Sequence, residues 1–264
     1  MGIGYDFCHD GWDAFLNYTW FRSNNNNRSV SPNNAIIDDN YWNVNASLWN
    51  GADIPTPFYQ SASAKWNLHL NVFDLELGRN FYISRRIQLR PHFGLKGMWY
   101  KQDYDLTFMF NSSGIPVWNN SMSAQMKNWG IGARAGLDSA WHFCRDWSII
   151  GEIAVTAIWE HFKAKRVDEL VALSSLAPGG PAGTVTSLVN LENSYYTLKP
   201  IVEWMLGFRW ERWFSCDEYH FAMDLGWEAQ HWFSQNKFIR TLSVDSANGD
   251  LVFMGLTFRA RFDF

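Results

Sequence analysis

From Val252 to the last residue, Phe264, the chain alternates with a period of two. Positions 252, 254, 256, 258, 260, 262 and 264 are Val, Met, Leu, Phe, Ala, Phe and Phe, while the positions between them include Thr257, Arg259, Arg261 and Asp263. Successive side chains of a strand point to opposite faces, so one face here is wholly apolar and the other mostly polar or charged. Two environments accept such a strand. In a sandwich the apolar face packs on a second sheet; in an outer-membrane barrel it faces lipid while the charged face lines the lumen. The choice depends on whether the pattern recurs.

Composition favours the second environment. The 264 residues include 16 Trp, 20 Phe and 10 Tyr, 17% aromatic in all, yet only 18% are charged, against about 25% in ordinary soluble domains. No stretch approaches the ~18 to 20 consecutive apolar residues of a membrane helix, so any spanning structure is made of strands. A net charge of −4 provides no basic field, and no nucleic-acid partner is expected. The start, Met1-Gly-Ile-Gly-Tyr-Asp, enters a strand-like pattern with no basic segment, apolar run or cleavage site of an export signal. A secreted barrel is then expected as a mature or truncated chain.

Nine alternating segments are recognisable. The first is the fragment Gly2 to Phe7. The second sets Trp12, Ala14, Leu16, Tyr18 and Trp20 against Asp13, Asn17 and Thr19. The third sets Trp66, Leu68, Leu70 and Val72 against Lys65, Asn67, His69 and Asn71, then changes phase at Phe73, where a bulge is expected. The fourth alternates Ile87, Leu89, Phe93, Leu95 and Trp99 with Gln88, Arg90, His92 and Lys96, and Pro91 within it suits a second bulge. The fifth and sixth are matched: Trp129 to Trp141 against Asn128, Arg134, Asp138 and His142, and Trp147 to Trp159 against Ser148, Glu152, Thr156 and Glu160. The seventh opposes Tyr196 to Trp210 with Lys199, Glu203, Arg209 and Glu211. The eighth opposes Tyr219 to Trp227 with His220, Asp224 and Glu228, and the ninth is the terminal strand.

The joins alternate too. Long ones, about 23–60, 110–122, 166–194 and 234–249, are rich in Asn, Pro, Gly and Ser and read as external loops; short ones near 7–11, 84–86, 143–146 and 214–218 read as periplasmic turns. Trp129 to Trp141 and Trp147 to Trp159 each span twelve residues. At ~3.3 Å per residue and ~40° tilt this climbs roughly 30 Å, the thickness of a hydrocarbon core, and Trp prefers its two interfaces. The reading is an all-β chain: one antiparallel transmembrane β-barrel over 1–264, about ten strands in complete form, in contact with outer-membrane lipid.

Several short motifs carry a family likeness over nearly the whole chain: Gly2-Ile-Gly-Tyr, His9-Asp10-Gly11-Trp12-Asp13, Leu75-Glu76-Leu77-Gly78-Arg79, Leu89-Arg90-Pro91-His92-Phe93-Gly94-Leu95, Gly132-Ala133-Arg134-Ala135-Gly136-Leu137-Asp138, Gly226-Trp227-Glu228 with Trp232-Phe233, and the ending Ala260-Arg261-Phe262-Asp263-Phe264. On these the chain resembles the pore-forming, major-outer-membrane-protein-like family of Legionella and chlamydia-like bacteria. The resemblance implies a porin inserted by the outer-membrane assembly machinery, which reads the last strand, here Phe258, Phe262 and Phe264. It also implies a signal peptide and a further strand upstream of Gly2. Arg259 stands where such terminal strands commonly have Gly.

The inward phase supplies the pore-lining candidates Lys65, Glu76, Arg90, Lys96, Arg134, Asp138, Glu152, Glu203, Arg209, Asp224, Glu228, Arg259 and Arg261, with Asp74 and Glu211 beside them. In an open pore they set ion preference. In a narrow barrel the same residues form a lattice of ion pairs that conducts little, and the pattern alone leaves both open. Cys8, Cys144 and Cys216 fall in or beside three short turns. Such turns are ~10 Å or more apart, beyond the ~7 Å of a disulfide, which points to cross-links between barrels or to a periplasmic partner, with three free thiols the alternative. The resemblance implies cross-linking of this kind in the relatives. The seven His lack metal spacing, and His231 with Ser234 nearby makes no triad by spacing alone. No cofactor, metal or catalytic step is expected. The expected function is passive diffusion of ions and small polar solutes; the alternative is a structural or adhesive barrel with an occluded lumen, cross-linked through its thiols.

Overall fold

The computed structural model describes residues 1–7, 11–30, 59–112, 115–172, 185–215, 218–238 and 247–264. They form ten strands: β1 (Gly2–Asp6), β2 (Trp12–Val30), β3 (Tyr59–Arg79), β4 (Phe81–Tyr82), β5 (Ile87–Ser112), β6 (Ile115–His142), β7 (Trp147–Ala172), β8 (Val185–Phe214), β9 (Tyr219–Phe238) and β10 (Ala247–Asp263). Their order in the sheet follows the chain, with the two-residue β4 pairing off the path onto β5. All pairings are antiparallel, as successive hairpins require. The sheet curls into a half-barrel, and the ring of Phe21 in β2 meets that of Phe253 in β10 at 5.0 Å between centroids. The second strand thus approaches the last across the hollow. No helix of the described residues is long and apolar enough to cross a membrane.

The strands are longer than a bilayer needs. β5 and β7 have 26 residues each, β6 has 28 and β8 has 30. At ~3.3 Å per residue and ~40° tilt, 26 residues climb roughly 65 Å, about twice a ~30 Å hydrocarbon core. The burial pattern shows where the excess lies. On β5 the convex face is apolar and exposed at Ile87, Phe93, Leu95 and Trp99, with Arg90, His92 and Lys96 on the concave side. Beyond Trp99 the pattern inverts: Lys101, Asp103 and Asp105 face out, while Tyr100, Leu106 and Phe108 are buried inside. The lower half is built for lipid outside, the upper half for water outside.

This inversion corrects two expectations. The phase change at Phe73 is not a bulge, because β3 pairs without a shift from Ser61 to Arg79 with β2 and from Ser61 to Gly78 with β5. Even-numbered residues point inward throughout; Leu68, Leu70 and Val72 are buried there, as is Asp74, and Phe73 and Leu75 are exposed on the other face. Nor does Pro91 make a bulge: it pairs opposite Leu137 in unbroken register with β6. It lies where the other neighbour changes from β3, at His92, to β4, at Leu89, so a missing N–H interrupts little.

The four long joins are also narrower than the sequence pattern places them. β5 and β6 continue through the span 110–122 to Ser112 and from Ile115, and β7 and β8 enter 166–194 as far as Ala172 and from Val185. β2 and β3 run to Val30 and from Tyr59, β9 and β10 to Phe238 and from Ala247. Strand pairing, rather than loop, forms most of the projection described.

Candidate pore lining

The concave side of the lower half is assembled from inward positions that alternate charge with Gly or Ala. On β6 the inward sequence runs Ala140, Asp138, Gly136, Arg134, Gly132; on β8 it runs Arg209, Gly207, Met205, Glu203. The small residues make room for the long ones beside them. A Cβ on Gly136 would meet Nε2 of His92 at 2.5 Å, and one on Gly78 would meet Nε of Arg90 at 2.5 Å. Both distances are well inside van der Waals contact, so these glycines hold open the space in which the charged side chains cross.

The charges form several groups along the concave side. At the short-turn end Arg90 donates to Asp13 through Nε at 2.9 Å and to Asp138 through Nη1 at 2.8 Å. Deeper, Lys96 contacts Asp74 at 2.7 Å and Glu203 at 2.8 Å, and Arg134 bridges Glu203 and Glu76, the latter at 3.0 Å. On the far wall Arg259 donates to both oxygens of Glu152 at 2.7 Å and reaches Glu228 at 3.3 Å, while Arg209 forks onto Asp224 at 2.7 and 2.8 Å. Arg261 pairs with Asp263, which also accepts from His220, and His142 pairs with Glu211. Several of these pairs join strands that are not neighbours in the sheet, β5 to β8 and β7 to β10 among them.

Exposure falls along this path. The side chains of Arg259, Asp138 and Glu152 are 39%, 31% and 26% exposed, whereas that of Lys96 is 2% exposed. The charges on the concave side are thus more accessible around Arg259, Asp138 and Glu152 than at the Lys96 group. Above it lies an apolar layer: Leu68, Met126, Ile158, Phe162 and Ile201 are fully buried, with Met98, Tyr100 and Trp232 packed into the same cluster. Inserted at its level are Glu160 and Lys199, 3.8 Å apart, with Asn128 and Gln235 bonded to Glu160 and the Lys199 ammonium 3.7 Å from the Phe162 ring centre. The packing leaves Ser148 Oγ, Thr156 Oγ1, Gln102 Oε1 and Gln235 Oε1 buried without a hydrogen-bond partner.

Of the lining candidates, Glu76, Arg90, Lys96, Arg134, Asp138, Glu152, Glu203, Arg209, Asp224, Glu228, Arg259 and Arg261 all lie on the concave phase, each with a partner of opposite charge. Lys65 does not belong with them. It sits on the convex face, exposed and opposite Asn26 and Asp105, because it lies above the inversion. The sequence pattern missed the apolar layer and the Glu160–Lys199 pair within it; the swap of apolar phase at Phe73 was the signal that marks this level. Phe258, Phe262 and Phe264 are exposed on the convex face, with Phe262 stacked between Tyr219 and Phe264. Cys144 is an exposed free thiol in the turn between β6 and β7, and Cys8 and Cys216 lie outside the described residues. His231 binds Asp250 at 2.7 Å, and Ser234 gives Asp250 its backbone N–H rather than its hydroxyl.

A protein-family model described as Legionella pneumophila major outer membrane protein precursor matches residues 1–264, the whole length given. No curated protein and no solved structure matches the chain.

Proposed function

The chain belongs to the Legionella major outer membrane protein family, a bacterial outer-membrane location follows from that membership, and we propose that it forms a pore for passive diffusion of ions and small polar solutes. The observation that carries the reading is the lining of the lipid-facing half: charges of both signs interleaved with Gly and Ala, most exposed at the short-turn mouth. No catalytic step is part of this reading. The lipid-exposed Phe258, Phe262 and Phe264 are its assembly signal for the outer-membrane insertion machinery. The long hairpins face outward from the cell and the short turns face the periplasm, where Cys144 is placed for cross-linking to a second barrel or a periplasmic partner.

One observation favours a second reading. The residues of the layer from Leu68 to Trp232 are buried against one another, and a barrel sealed there would be structural or adhesive. Planar-bilayer recording from the folded protein separates the two. Stepwise currents that scale with salt support the pore; silence from folded, heat-modifiable protein supports the sealed barrel. Non-reducing electrophoresis tests the cross-link, and monomer alone would remove it.

A further inference from the structure

The outward side chains at the upper edge of the lipid-facing band form a register-matched row. Trp20, Asn71, Trp99, Trp129, His161 and Tyr196 lie side by side across β2, β3, β5, β6, β7 and β8. One step farther from the band, Arg22, His69, Lys101, Lys127 and Lys163 lie opposite one another on five consecutive strands of the path. Each strand taken separately carries the same arrangement, since the basic residue comes two residues beyond the last outward aromatic on β2, β5 and β6 and four beyond it on β3 and β7.

Three lysines directly opposite one another, at strand spacings of ~4.8 Å, repel. A fold that needed only a polar surface would alternate the signs here. Instead the carboxylates stand one step farther out: Asp103 pairs with Lys101 at 2.7 Å, and Glu192 pairs with Lys163 at 2.7 Å. Lys163 holds the Glu192 carboxyl below its ordinary range. The Lys163–Glu192 pair is solvent-exposed, the kind that exchanges partners readily, while Asp103 is partly covered and also accepts from Gln125. Lys127 and Lys163, with Lys165, Gln125 and Glu192, line a depression of about 230 Å³.

We propose that this row is a seat for phosphate groups carried on lipid headgroups of the leaflet at the long-hairpin end. Trp20, Trp99, Trp129 and Trp159 mark the level of the interface on their strands; the lysines then stand at headgroup depth, where each neighbouring pair can hold one phosphate oxygen apiece and where anionic lipid relieves their mutual repulsion. The lipid-facing band and the cation row are continuous on one convex surface, so a lipid whose chains lie on Leu95, Ile131 and Val155 presents its headgroup to Lys101, Lys127 and Lys163. This seat does not depend on conduction through the lumen.

Native mass spectrometry of the full folded chain in a neutral detergent, titrated with diphosphorylated lipid A, tests the seat. The expected result is bound lipid A retained in preference to phosphatidylcholine, weakened at least tenfold between 0.05 and 0.5 M salt. The Lys101→Gln, Lys127→Gln, Lys163→Gln variant is expected to bind at least tenfold more weakly, and the matching triple Arg variant to restore binding. Lipid A binding within twofold of the unaltered chain in the folded Gln variant would overturn the proposal, as would equal retention of phosphatidylcholine. Displacement by equimolar inorganic phosphate would assign the row to free phosphate instead. If the Gln variant does not fold, salt-insensitive lipid A binding by the unaltered chain overturns the proposal by itself.

Discussion

On β5 the stretch from Ile87 to Trp99 turns apolar side chains outward and Arg90, His92 and Lys96 inward, whereas the stretch from Met98 to Phe108 turns Met98, Tyr100, Leu106 and Phe108 inward and Lys101, Asp103 and Asp105 outward. The backbone register does not change between them. One continuous ladder therefore serves two solvents, and only the side chains record which one it faces. In the lower half the interior is filled mainly by paired charges; in the upper half apolar side chains dominate it, with the Glu160–Lys199 and Arg166–Asp168 pairs held among them. The difference predicts that equivalent substitutions in the two halves will fail for different reasons.

The largest effect is expected at Lys96. Its ammonium is buried and serves both Asp74 and Glu203. Lys96→Met leaves two carboxylates facing each other without it, and removal of one partner from a buried ionic group costs about 3–5 kcal/mol. Urea unfolding of the protein in phosphatidylcholine vesicles reads this loss. Adding Asp74→Asn and Glu203→Gln to Lys96→Met is expected to recover most of it. A Lys96→Met midpoint no different from that of Lys101→Met, on the exposed face of the same strand, would break the contrast between the halves.

Phe162→Ala attacks the apolar layer. The ring is fully buried between the strands of the core cluster and stacks on Tyr195 at 5.4 Å, so a loss of about 3–5 kcal/mol is expected from transfer and cavity together. In the proposed pore the same change opens space within the apolar layer. Bilayer recordings are expected to show a higher conductance or a longer open time in the variant, and unchanged currents would move the constriction to the Lys96 group.

A mirrored pair sharpens the comparison on the convex face. Leu95 is 48% exposed in the middle of the lipid-facing band, and Leu95→Arg is expected to cost about 2–4 kcal/mol in vesicles. Lys65→Leu, on the same face of the sheet but above the inversion, is expected to stay within about 0.5 kcal/mol of the unaltered chain. Equal losses at the two sites would mean that lipid reaches Lys65 and that the inversion does not mark the membrane boundary.

The same inversion explains what could be read from the residues. The outward band from Ile87 to Trp99, from Trp129 to Trp141 and from Trp147 to Trp159 was legible because lipid rewards a long, uniform apolar phase. The span 110–122 was not, because Asn111, Ser112, Ser113 and Gly114 carry turn chemistry while the strand evidence of Leu106, Phe108 and Met122 lies on the inward phase. Reading apolar as outward everywhere placed Lys65 in the lumen and turned a change of solvent at Phe73 into a bulge. The partners of the lining charges were beyond reach in any case: Arg259 meets Glu152 across 107 residues of sequence only because the sheet curls β10 toward β7.

The smallest effect is expected where β9 meets β10 at the water-exposed end. Ser234 adopts a positive φ of 51°, a strained conformation for a side-chain-bearing residue. Its N–H bonds Asp250 at 2.8 Å, and Asp250 also accepts from His231 at 2.7 Å. The Ser234 N–H, with His231 second, holds the Asp250 carboxyl below its ordinary range. A carboxylate depressed in the folded state contributes stability above its unfolded pKa and loses it as pH falls through the lower folded value. Because the pair is exposed, the contribution is expected to be under about 1 kcal/mol. Amide exchange at Ser234 is expected to be slow at neutral pH and to accelerate, beyond its intrinsic pH dependence, once acid protonates Asp250. In Asp250→Asn that additional acceleration should vanish, and its persistence would show that another group fastens this end of the hairpin.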